Sequence, residues 1–186
     1  GTGIFIAKQA GTEFSAANSA YAGMILGYTK IQNLTGGTDN EIIEITTTMT
    51  VLQTNQGTDV SITFKTPPSE NVEISFTASI TGSSDYIQFG LSDDPSYSPV
   101  GNAWEYEGNT TSPILVDEDD HVTPTIRWVL HAANLASVGS SNTFYIAADG
   151  SGTSYLYHGI TRIGTTHAHP IIVKAVALPE TITTGE

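Results

Sequence analysis

Val72, Ile74, Phe76, Ala78 and Ile80 alternate with Glu73, Ser75, Thr77 and Ser79 without a fault. Successive side chains of an extended backbone point to opposite faces, so a two-residue period this strict predicts a half-buried β-strand. The same period sets Ile43, Ile45, Met49 and Val51 against Glu44, Thr46, Thr48 and Thr50, which predicts one long strand with a threonine-lined outer face. Val60, Ile62 and Phe64 make a shorter strand that Pro67-Pro68 stops. Ile25–Ile31 reads as a first strand, and Ile126, Trp128 and Leu130 share a face of another over Thr125–His131. Gly82-Ser83-Ser84 lies between the Val72 run and Ile87, Phe89 and Leu91, and predicts that these two runs form a hairpin.

The last third holds three more β-type runs, around Phe144–Ala148, Tyr155–Gly159 and Ile171–Leu178. Asp149-Gly150-Ser151-Gly152 and the segment Gly164–His169 separate them as turns. Ile171, Val173, Ala175 and Ala177 form one face of the final run, while Ile172, Val176 and Leu178 give it a second apolar face. A strand of that kind is expected to be covered on both sides and to close a sandwich. Helical spacing is rare. Phe14, Ala17, Tyr21 and Met24 predict a short amphipathic helix entered near Thr12, and Ala132–Ala136 is a second helical patch. Nine or ten short strands with almost no helix predict an all-β protein, an antiparallel β-sandwich of the jelly-roll type. The expected organisation is an N-terminal arm over 1–40, a sandwich over 41–179 and a polar tail over 180–186.

With 6 basic against 19 acidic residues the chain carries a formal charge of −13. A phosphate backbone needs a basic partner, so nucleic acid is not expected as a ligand, nor is membrane insertion, since no run approaches a span. Charged residues make up 13% of the chain, well under the usual quarter, so Thr, Ser, Asn and Gly carry the surface. There is no cysteine, which removes disulfides, thiolate metal sites and a cysteine nucleophile, and points to assembly in a reducing cytoplasm.

No nucleophile elbow, phosphate loop, dinucleotide fingerprint or zinc-protease motif is present, and no catalytic residue is assigned. Asp117-Glu118-Asp119-Asp120 is the densest charge; it lacks the spacing of a calcium loop and reads as a solvated turn, as does Asp93-Asp94. His167 and His169 point the same way in an extended segment, and three copies around a threefold axis would offer six nitrogens to a transition metal. His131 and His158 fall within strands and read as structural. The segment Asp93–Val122 has little periodicity and carries Tyr97, Trp104 and Tyr106, aromatics suited either to an interface or to plugging one end of the sandwich. Tyr145, Tyr155 and Tyr157 alternate with core positions and are expected on an outer face that contacts a neighbouring subunit.

Phe144–Ala148, Tyr157-His158-Gly159, Pro170–Pro179 and the Val72–Leu91 stretch with Gly90-Leu91-Ser92-Asp93 together resemble structural proteins of tailed phages, above all fibre and appendage domains. Such domains are similar to trimeric jelly rolls of the tumour-necrosis-factor and C1q type. The His167-Ala168-His169 pair is similar to the His-x-His motif that binds iron in some trimeric fibre tips. The resemblance implies a non-enzymatic virion protein. It would be a homotrimer that assembles in the host cytoplasm, joins other virion proteins and touches a glycan or protein of the host surface. Two alternatives predict different behaviour. A capsid decoration protein would clamp capsid subunits through residues 1–40, and a carbohydrate-binding module would stack sugars on Trp104 and Tyr106.

Overall fold

A computed structural model of the chain describes residues 21–32, 42–82, 86–100, 121–152, 154–158 and 169–180. Twelve strands follow in order: β1 (Ile25–Ile31), β2 (Ile42–Ile45), β3 (Thr50–Val51), β4 (Ser61–Lys65), β5 (Val72–Thr77), β6 (Ser79–Gly82), β7 (Ile87–Ser92), β8 (His121–Val122), β9 (Thr125–Leu130), β10 (Ser141–Gly150), β11 (Ser154–Tyr157) and β12 (Ile171–Ala177). All their pairings are antiparallel. The chain folds as an all-β sandwich, and the helical patch at Ala132 amounts to one 3-10 turn, Ala132–Asn134.

One layer is organised along β5 and β6, which are a single extended run. Val72, Ile74, Phe76, Ala78 and Ile80 all have zero exposure, so the inward period passes through the break at Ala78 unshifted. β5 lies between β12 and β9, with β1 beyond β12; β6 lies between β11 and β8, with β2 beyond β11. The two four-stranded sheets therefore continue each other end to end as one large layer. The small layer is centred on β10. Tyr145 pairs with Ser61 on one edge and with Ser92 on the other, so β4 and β3 share one side of β10 and β7 takes the opposite side.

The core fills the space between the layers. Phe76 of the large layer meets Phe89 of the small one at 5.1 Å between ring centroids, Phe64 stacks on Phe144 at 5.8 Å, and Trp128 is wholly buried. Each such side chain contributes about 1.5–3 kcal/mol by leaving water. At one pole the two ends of the sandwich are tied together. Gly23 donates to the Ala177 carbonyl, Ala177 donates to Met24, and the Asn71 carboxamide donates to the carbonyls of Pro179 and Glu180.

Several expectations change. The Val72 and Ile87 runs do not form a hairpin: β6 pairs with β8 and β11, whereas β7 crosses to the other layer and pairs with β10. Both runs have an inward apolar face, and Phe76 and Phe89 meet across the core from opposite layers. The predicted long strand from Ile43 to Val51 is bent. β2 belongs to the large layer and β3 to the small one, with Thr46 Oγ1 donating to the Thr48 carbonyl at the corner. Asp149 and Gly150 are not a turn but the last residues of β10. β12 lies between β1 and β5, but only one of its faces is buried where both were expected to be; Ile172, Lys174 and Val176 on the other are half-buried. β1, within the stretch expected to be an arm, is a full strand of the large layer. Most of the Thr12–Met24 helix lies outside the described residues.

β1 is an edge strand and approaches β4 of the other layer closely. A Cβ on Gly27 would stand 2.8 Å from the Thr63 carbonyl oxygen and 3.2 Å from Ile62 Cγ1, so only glycine fits between these backbones. Gly27→Val should therefore lower stability by about 1–3 kcal/mol, as overpacking does. A urea midpoint equal to that of the wild type would show that β1 and β4 are not in this contact.

Candidate functional site

Three of the candidate site residues, Tyr145, Tyr155 and Tyr157, lie on strand faces turned away from the core, and strand register decides which of them share a surface. On β11, Ser154 and Leu156 are buried, so Tyr155 and Tyr157 point outward from the large layer, beside Thr81 and Ser79 of β6. Tyr145 also points outward, but from the small layer, between Ser61 and Ser92. The three tyrosines expected on one face are thus divided between opposite sides of the sandwich. All three are half-buried.

Tyr97 sits in a tight turn built on the buried Ser92. The Ser92 hydroxyl donates to the Asp94 carbonyl at 2.6 Å and accepts from the amides of Ser98 and Asp94. The Asp94 carboxylate accepts from the Ser96 amide at 2.7 Å, which gives this acid a role in shaping the turn. Tyr97 takes φ +60°, a left-handed conformation costing on the order of 1–2 kcal/mol for a side chain with a Cβ. The turn brings its ring over β7, where a Cβ on Gly90 would meet the phenol oxygen at 3.2 Å and Met49 Sδ at 3.4 Å. Gly90 pairs with Ala147, and Ala147 is fully buried although it faces away from the main core. Tyr97 and Met49 thus cap a small apolar spot on the outside of the small layer, rather than an end of the sandwich. Trp104 and Tyr106 lie outside the described residues.

His169 is exposed at the approach to β12. Its amide donates to Ser79 Oγ at 3.1 Å, and its Nδ1 lies 2.6 Å from the Pro170 carbonyl oxygen. With Nδ1–H donating there, Nε2 is the nitrogen whose lone pair could face a metal, the usual arrangement of a ligating imidazole. His167 lies outside the described residues, as does the Asp117–Asp120 run. Among the described residues no group of three or more His, Asp or Glu could hold a metal ion.

One group stands out that sequence pattern passed over as part of a turn. Asp149 is on the outer face of β10 opposite Gln88, and its Oδ1 is buried without a hydrogen-bond partner. Loss of solvation raises its pKa, and the hydrogen bond from its own amide opposes the rise only in part. The folded state therefore holds this proton more tightly than the unfolded chain. Stability from the site is full below the ordinary value of 3.8 and is lost as pH rises through the higher folded value. Asp149→Asn, which keeps the shape without the charge, should raise the melting temperature at neutral pH. The gain should shrink as the pH approaches 3.8. A gain that is constant with pH would refute the assignment.

The chain matches no protein-family model, no curated protein and no solved structure.

Proposed function

We propose that the chain is a non-enzymatic structural protein of a tailed-phage virion. In this reading it is an oligomeric appendage or fibre component that acts by assembly and by contact with the host surface. The jelly-roll subtype is supported by strand order. With collinear segments counted together, the large layer sets the first strand beside the last, the last beside β5/β6, and that beside β8/β9. The small layer holds β3/β4, β10 and β7, so successive strands cross between layers as they do in a jelly roll.

The observation that carries the appendage reading is the placement of the two ends of the sandwich. Met24 and Ala177 are hydrogen-bonded neighbours, at the pole where Val72 and Leu130 also lie. A body attached through that pole presents the opposite one, where β6 ends, β11 begins and the chain re-enters at His121. The segment that re-enters there carries Trp104 and Tyr106 in sequence, the aromatics suited to a surface ligand.

Antibodies raised against the purified chain and applied to particles of the phage that encodes it test the reading by electron microscopy. Labelling of tails or fibres is expected. Labelling spread over the shell would replace it with the decoration-protein reading, and unlabelled particles would refute a virion role.

A further inference from the structure

The outer face of the β1–β12–β5–β9 sheet has a charge opposite in sign to that of the chain. Lys30, Lys174 and Arg127 all point outward there, so one sheet face holds three of the 6 basic residues in a chain with 19 acidic ones. Glu73 is the one acid among its outward-facing described positions. Register spreads the cations across the sheet. Lys174 lies opposite Tyr28 on one side and Ser75 on the other, and Ser75 lies opposite Arg127. Two strand spacings therefore separate Lys174 from Arg127, roughly 10 Å along the backbone ladder.

The same face is apolar where a solvent-facing strand would be polar. Ile25 and Tyr28 are 56% and 55% exposed, the two largest values among the exposed large hydrophobics of the described residues. Val176 pairs with Ile25 and is half-buried. Apolar side chains grouped with cations, and ringed by few anions, mark a surface that a partner covers.

We infer that this face binds an acidic surface of a second copy of the chain, head to tail. The inference rests on the oligomeric reading above and names its interface. Charge complementarity selects the occupant. Away from this face the described residues hold seven acids, Glu44, Asp59, Glu70, Asp93, Asp94, Asp149 and Glu180, and one base, Lys65, so a neighbour offers the three cations acidic surface nearly everywhere except at its own equivalent of this face. Stacking the face on itself about a twofold axis would bring Lys30, Lys174 and Arg127 against their own kind. A symmetric dimer is therefore disfavoured, and the contact is heterologous, closing as a ring of three or more copies or growing as a filament.

The test is the solution mass of the full chain by size-exclusion chromatography with light scattering, over a concentration series at low and high salt. Lys174→Glu and Lys65→Glu change the net charge equally but on opposite layers, Lys65 being outward on β4. An assembly of more than two copies is expected, weakened by salt. Lys174→Glu should raise its dissociation constant at least about tenfold, or ~1.4 kcal/mol, while Lys65→Glu leaves it unchanged. Should Lys174→Glu fail to fold by circular dichroism, Lys30→Glu on the exposed edge strand serves the same purpose. An assembly that persists in the face variant, or weakens equally in both variants, overturns the interface and leaves the oligomeric reading standing. A twofold dimer overturns the head-to-tail contact. A wild-type monomer at every concentration overturns both readings.

Discussion

Hydrogen bonding along both edges of Val72–Gly82 is the constraint on which the rest of the sandwich depends. β5 is bonded to β12 and β9, and β6 to β11 and β8, so segments from both halves of the last third and from the middle of the chain are referenced to one line of backbone. Tyr157 pairs with Ser79 and Ile172 with Thr77, which makes distant residues neighbours on one side of Ala78. A slip of one residue in this segment would turn its own inward side chains outward. The core set of Ile74, Phe76, Ala78 and Ile80 fixes the register against that slip. Because the bonded partners are far apart in sequence, most of the loop-closure entropy is lost before burial compensates, and slow folding of a high-contact-order β-protein is the consequence.

On the outer faces of both layers, threonine hydroxyls pair with each other across neighbouring strands. Thr63 and Thr143 are bonded across β4 and β10 at 2.9 Å, and Thr77 and Thr125 across β5 and β9 at the same distance. Such pairs stabilise neighbouring strands without placing charge on the surface. On a background this low in charge, each lysine or arginine has more influence on where a partner can settle than it would on an ordinary protein surface. The grouping of Lys30, Lys174 and Arg127 on one sheet is therefore a stronger determinant of contact than its size suggests.

Facing was legible in the sequence and adjacency was not. Period-two runs located β4, β5, β9 and β10 and their buried sides, because the pleat fixes which residues share a face, whereas β12 was located with one buried face too many. Nothing in a two-residue period says which strand lies alongside, and the expected Val72–Leu91 hairpin failed for that reason. The corner at Thr46–Met49 was hidden because the alternation of Ile45, Met49 and Val51 continues across a change of layer. At the candidate surfaces, the spacing of Tyr155 and Tyr157 gave their common direction, while Tyr145 had the same spacing signal and a different layer. The fold-back of Tyr97 had one signal, a glycine inside strand β7, which leaves room for a ring. That signal could be interpreted only once Gly90 was known to pair with Ala147.

The tie between Met24 and Ala177 also sets how the body responds to tension. β1 and β12 are antiparallel neighbours and both ends leave at one pole, so a pull on the two ends opens their ladder like a zip, one hydrogen bond at a time. Among the described residues, the Asn71 carboxamide, clamped to Pro179 and Glu180, is the outermost fastening on the β12 side that such a pull would meet. Strands stressed along their length share force among all their bonds, and this geometry does not allow that. A sandwich of this kind yields bond by bond from that pole and is unsuited to carry load between its two ends.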